Sequence, residues 1–290
     1  MIDAKSNVDL RNEHFVGRSK EMRWLREIVA FGKMRVLTAI NGQGGIGKTA
    51  LAIEYSRAFA HEYPGGCWVV RCGGREDLRV ALAGLAGVYD LDFGFTEEEK
   101  RDLDLGFERV VGDLRQRAES AKPCRTLLVL DNVNRVKLLE PEQVRRLARG
   151  DWLHIIATTP LDEHEVFGGR QDLAFLTLEG LPEEEALALI EHYQPGEALL
   201  DGAIRRAAQD IVRLLRGFTL AVERAAIGWT KPSHSCVECW ASSFAPAPLK
   251  VTNTLFYGWP SATTPRYLPR WAGARSRSSP DSKSSRAHSV

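Results

Sequence analysis

An apolar run, Val36-Leu37-Thr38-Ala39-Ile40, leads straight into Gly42-Gln43-Gly44-Gly45-Ile46-Gly47-Lys48-Thr49. That junction excludes most architectures at the outset. The eight residues fit G-x-x-x-x-G-K-[ST], a phosphate-binding loop. The run before them reads as a buried strand, and Ala50-Leu51-Ala52-Ile53-Glu54-Tyr55 after them reads as a helix. Strand, loop and helix in that order are the context the motif needs.

The residue types explain the chemistry. Glycines at 44, 45 and 47 let successive N–H groups curve around one anion and leave no Cβ in the way. A helix beginning near Lys48 turns its unpaired amides and positive dipole end toward the same anion. Lys48 adds a point charge for the β- and γ-phosphates, and Thr49 offers a hydroxyl to Mg²⁺. The ligand class is a nucleoside di- or triphosphate; the loop does not choose the base.

Hydrophobic periodicity continues the pattern. Helical spacing covers 19–31, 48–61, 75–88, 97–119 and 141–149, while strands are expected at 35–41, 67–71, 126–131, 153–158 and 175–178. Strands that are apolar nearly throughout and alternate with helices predict a parallel sheet covered on both faces. Beyond Pro182 only helical spacing remains. The expected organisation is an α/β phosphate-loop fold with a five-stranded, mostly parallel sheet over 14–180, after an extension at 1–13. A small helical subdomain at 181–228 and a disordered tail at 229–290 complete it.

Leu127-Leu128-Val129-Leu130-Asp131 is an apolar strand ending in a carboxylate, placed as an Mg²⁺-binding Asp would be. Asn132 follows it, where many hydrolysing phosphate-loop proteins place Asp or Glu. Asn can orient water but is a poor base, so slow turnover is expected. Ile155-Ile156-Ala157-Thr158-Thr159-Pro160 ends a strand in two hydroxyls. They read either as a γ-phosphate sensor or as ordinary β-formers stopped by Pro160.

Composition bounds the setting. Net charge is +1, yet residues 230–290 carry eight Lys and Arg against two acidic residues, leaving −5 for residues 1–229. Seven of the 13 prolines and twelve serines fall in that same tail. Its periodicity fails abruptly near Gly228, and a lost reading frame is one explanation for a tail of this kind. Cys236 and Cys239 form a C-x-x-C without a second pair, which argues against a metal site. Five scattered cysteines, no signal-peptide pattern and no long apolar stretch point to a cytoplasmic protein without a membrane partner. Nucleic acid is not an expected partner either.

In this order and spacing, the pieces resemble the STAND class of signal-transducing ATPases. Within it they are similar to the NB-ARC type of plant resistance proteins, apoptotic adaptors and many bacterial regulators. The resemblance spans about residues 14–228. His14-Phe15-Val16-Gly17-Arg18 matches a V-G-R element that borders adenine, and residues 42–49 match the phosphate loop. Leu127 to Val133 matches the Mg²⁺ strand, and Ala157-Thr158-Thr159 the start of a T-T-R sensor. Residues 178–186 resemble the L-x-x-L-x-x-x-E-A helix start, and Gly217-Phe218-Thr219-Leu220-Ala221 a G-L-P-L-A element.

The resemblance implies adenine nucleotide, ADP or ATP, with Mg²⁺. The implied nucleotide-binding set is Val16, Gly17, Arg18, Gly42, Gly44, Gly45, Ile46, Gly47, Lys48, Thr49, Ala50, Thr158, Thr159, Thr219 and Leu220. Thr49 and Asp131 take the metal, and Asp131 with Asn132 makes the catalytic pair. Two positions depart from the family pattern: Pro160 stands where the sensor Arg is expected, and Thr219 where a proline packs on adenine. The expected protein is an ADP-bound switch, truncated after its helical subdomain, able to form a homo-oligomer when ATP-bound, with signalling partners unspecified. An active ATPase and a non-signalling remnant are the alternatives.

Overall fold

A computed structural model describes residues 6–8, 13–31, 37–83, 85, 98, 101–120, 122–147, 151–167, 173–194 and 202–229. Strands β1 (Leu37–Asn41), β2 (Cys67–Arg71), β3 (Thr126–Asp131), β4 (Leu153–Thr159) and β5 (Leu173–Thr177) form one sheet. Their order is β2-β3-β4-β1-β5, and every pairing is parallel. Because the strands are parallel, Asn41, Arg71, Asp131, Thr159 and Thr177 all end at one edge. The chain enters the sheet at β1, crosses to β2, steps back to β4, then passes over β1 to β5. That reversal beside β1 is where open α/β sheets place ligands.

Alternation along each strand divides the apolar residues between two faces. Leu127, Val129, Ile156 and Ile40 meet α1 (Ser19–Phe31) and α2 (Lys48–Ala58) through Leu25, Leu51, Ala52 and Tyr55. Leu128, Leu130, Ile155 and Ala157 face the other side, against α3 (Leu78–Ala83) and α4 (Leu103–Glu119), through Leu82, Phe107, Val110 and Leu114. Burial on both faces explains why these strands read as continuous apolar runs. Trp68 fills one core and Trp24 packs on the edge of the other.

Several boundaries differ from those the spacing predicts, each for a local reason. Helix α2 stops at Ala58, and a 3₁₀ turn, Ala60–Glu62, carries the chain to Pro64, before which helical backbone is disfavoured. Helix α3 starts at Leu78, because residues 72–77 turn first and the Asp77 carboxylate caps the Arg79 amide at 2.9 Å. Helix α4 starts at Leu103: Asp102 is extended and its side chain accepts the Asp104 and Leu105 amides. The chain also makes a 3₁₀ turn, Val136–Leu139, helix α5 (Pro141–Leu147) and the short α6 (Glu163–Phe167). Asp162 and Glu165 cap α6 reciprocally, each accepting the other's amide at 2.9 Å. Predicted stretches at 35–36, 84, 86–88, 97, 99–100 and 148–149, and the tail from 230, lie outside the described residues.

Among the described residues, side chains meet the outer edge of β2. The Asn7 amide donates to the Val69 carbonyl (2.9 Å) and accepts the Val69 amide (2.6 Å), and Ser6 Oγ accepts the Cys67 amide (3.0 Å). After β5 come α7 (Glu183–Tyr193), α8 (Gly202–Leu214) and α9 (Thr219–Trp229). They bury a cluster of their own, including Leu187, Ile190, Val212 and Val222.

Candidate functional site

The ends of β3 and β4 bring a carboxylate and hydroxyls together. Leu130 pairs with Ala157 in register, so Asp131 and Thr158 end side by side. The Thr158 hydroxyl donates to Asp131 Oδ1 at 2.8 Å and accepts the Asn132 amide at 2.8 Å. Thr49, in the first turn of α2, donates its hydroxyl to the same Oδ1 at 2.6 Å. Thr159 plays a different part. Its hydroxyl donates to the Val133 carbonyl (2.7 Å) and accepts the Leu161 amide (3.0 Å), so it ties the two strand ends into their turns.

The loop between β1 and α2 bends at Gly42, Gly45 and Gly47, with φ of +149°, +83° and +104°. Gly44, which the sequence suggested for that curvature, is not among the glycines with positive φ. Gly47 caps α2 without a side chain, which leaves the first amides of the helix facing the loop. The Lys48 ammonium folds back and donates to the Gly42 (2.5 Å) and Gln43 (3.0 Å) carbonyls. Burial holds it below the ordinary lysine range, against the opposing pull of the Asp131 carboxylate. Ala50 sits half-buried beside Thr49.

Two further segments converge on the loop. Arg18 is 3% exposed and has φ +62°, left-handed backbone that a non-glycine residue adopts only when held there. What holds it is specific: its guanidinium donates to the carbonyls of Ile46 (3.2 Å) and Glu179 (2.7 Å) and pairs with Glu21 (3.0 Å). Its amide donates to the Glu185 carboxylate of α7 at 3.0 Å. Val16 packs against the cluster of α7–α9. From α9, the Thr219 hydroxyl donates to the Ile46 carbonyl (2.9 Å) and the Leu220 amide to the Gly45 carbonyl (3.1 Å). A Cβ on Gly45 would stand 2.9 Å from Leu220 and 3.1 Å from Phe218, so glycine is what lets α9 approach the loop.

All three sequence blocks, at 16–18, 42–50 and 219–220, therefore meet at the loop, and Asp131 with Thr158 meets it through Thr49. Asn132 faces elsewhere. Its backbone is left-handed (φ +59°), and a Cβ on Gly73 would lie 2.8 Å from its Nδ2, so its amide sits against the loop after β2. Glu185 and the Glu179 carbonyl were not among the expected site residues. The signal for Glu185 was the Glu-Ala pair that opens α7; a backbone carbonyl leaves none.

The donor set suits its expected ligands. Thr49 Oγ1 and Asp131 Oδ1 are hard oxygens 2.6 Å apart, the type Mg²⁺ takes while it keeps water and phosphate as its other ligands. Among the described residues, no group of three or more His, Cys, Asp or Glu side chains gathers to hold a metal by itself. None of the described helices is long and apolar enough to cross a membrane.

The family model of the NB-ARC domain matches residues 21–197. No curated protein matches the chain. Among solved structures, a STAND protein with a tetratricopeptide repeat sensor from Pyrococcus horikoshii is 19% identical (TM-score 0.48); the match covers 81% of this chain and 33% of that one. Cdc6p from Pyrobaculum aerophilum is 12% identical (TM-score 0.49), over 78% of this chain and 62% of its own. PCH-2 from C. elegans is 11% identical (TM-score 0.40), over 74% and 71%. The chain thus spans about a third of the length of the first of these structures.

Proposed function

Because the chain belongs to the NB-ARC family, we propose that it is an adenine-nucleotide switch, holding ADP at rest and hydrolysing ATP slowly. One observation carries the reading: α9 bonds directly to the phosphate loop, through Thr219 to Ile46 and Leu220 to Gly45. A ligand that reshapes the loop therefore acts on the helical group without an intermediary, which is the coupling a switch requires.

In this reading Lys48 leaves its loop carbonyls for the β- and γ-phosphates, and the amides of residues 44–50 cradle them. Thr49 and Asp131 hold Mg²⁺, which neutralises phosphate charge when bound. Val16, Gly17 and Arg18 border the base, and Thr158 keeps Asp131 oriented. Asn132, an amide that cannot act as a base and that is turned toward Gly73, and Pro160 in place of a sensor Arg, support slow turnover. Exchange of ADP for ATP would loosen α9 and open a surface for self-association. Cys67 and Cys72 are buried free thiols, which supports a reducing, cytoplasmic setting.

The test is to denature the purified protein and identify released nucleotide by chromatography. ADP near one per chain is expected, and Lys48→Ala should lose it. A folded protein that carries no nucleotide and binds neither ADP nor Mg²⁺–ATP would overturn the switch and leave a non-signalling remnant as the reading.

A further inference from the structure

The Ile46 carbonyl accepts two hydrogen bonds from opposite directions in sequence, Arg18 Nη2 at 3.2 Å and Thr219 Oγ1 at 2.9 Å. One peptide earlier, the Gly45 carbonyl accepts the Leu220 amide at 3.1 Å. A trans peptide is planar, with its C=O and N–H pointing opposite ways. A carbonyl fixed from outside the loop therefore aims the next amide toward the inside. Held at Ile46 O, the peptide turns the Gly47 N–H to the concave side, where an anion sits.

We propose that Thr219 is a positioning residue for phosphate: its hydroxyl, with Arg18, pre-orients the Gly47 amide through the Ile46 carbonyl. This rests on the nucleotide-binding reading above and deepens it. At this position the resemblance leads one to expect a proline packed on adenine. Proline has no side-chain donor and could not make this bond, so the threonine shifts the residue's contribution from the base to the phosphate loop. Ile46 is itself anchored, 4% exposed and packed with Leu178 and Phe218, so the peptide has little freedom once both donors are in place.

The experiment measures binding of Mg²⁺-pyrophosphate, ADP and adenosine by calorimetry to the full chain and to Thr219→Val, Thr219→Ser and Lys48→Ala. Valine keeps the shape and removes the donor; serine keeps the donor. The expected result is a loss of about five-fold in pyrophosphate and ADP affinity for Thr219→Val, the worth of one hydrogen bond. Adenosine binding should be unchanged, and Thr219→Ser should match the parent. Equal losses for adenosine and pyrophosphate would overturn the proposal, because the residue would then act on the base. So would a folded Thr219→Ser as weak as Thr219→Val, or a Thr219→Val equal to the parent while Lys48→Ala abolishes binding; these leave the nucleotide reading intact. A parent chain that binds none of the three probes overturns both.

Discussion

Thr49 and Asp131 lie 82 residues apart in sequence, yet the hydroxyl of one donates to the carboxylate of the other at 2.6 Å. The contact joins the start of α2 to the end of β3 across the intervening β4, and Thr158 on β4 donates to the same Oδ1 at 2.8 Å. Asp131→Asn keeps the side-chain shape and removes the charge. The improvement in ATP affinity produced by Mg²⁺ should then shrink by at least about ten-fold, or about 1.4 kcal/mol. Calorimetry with excess Mg²⁺ and with EDTA reads it directly. If the metal-dependent gain is unchanged, another group holds the cation.

Acid should destabilise the fold through His154. Its ring lies 3.3 Å from the Tyr63 hydroxyl, which is 3.1 Å from that of Tyr55, and burial pulls its pKa down from 6.5 to about 4. The unfolded chain takes up this proton below about pH 6.5, the folded chain only near pH 4. Stability is therefore full above 6.5 and falls as the pH drops toward 4, by on the order of 3 kcal/mol. His154→Gln should flatten that part of the curve of melting temperature against pH. A parallel curve for the variant would reject the assignment.

Most of the α/β layer was legible because its cause is local. Continuous apolar runs such as residues 127–130 follow from burial on both faces of a parallel sheet, and the glycine loop carries its own turn chemistry. Helix ends were less legible, since Asp102 and Asp77 act as caps only once the chain around them has turned. The junction around Arg18 could not be read at all from spacing. Its partners are the carbonyls of Ile46 and Glu179, and every residue has a carbonyl. Likewise nothing in Thr158-Thr159 marks the first hydroxyl for Asp131 and the second for Val133; strand register decides it.

Two glycines should respond in opposite ways to alanine. Gly17 has φ +74°, and a Cβ there would run into the Glu185 carboxylate that accepts the Arg18 amide. Gly17→Ala should cost about 1–3 kcal/mol, from the left-handed backbone and the displaced carboxylate. Gly112, inside α4, has open space at its Cβ position, and Gly112→Ala should stabilise by about 0.5–1 kcal/mol. Urea midpoints at constant m-value distinguish the two. A neutral Gly17→Ala would mean that the junction adjusts without loss.

Turnover should be limited by Asn132. Its amide cannot serve as a base, and it rests against Gly73 in left-handed backbone that Asp tolerates equally well. Asn132→Asp therefore supplies a carboxylate without a new backbone demand. A well-placed general base contributes about 10²–10⁴-fold. Because this side chain must rotate away from Gly73 to reach an attacking water, a smaller gain is expected, about ten-fold in single-turnover ATP hydrolysis. ADP affinity should stay near that of the parent, since Asn132 makes no contact with the phosphate loop. If the Asp variant hydrolyses ATP no faster while binding it equally well, residue 132 is not what limits the step. The missing sensor arginine at Pro160 then becomes the residue to restore.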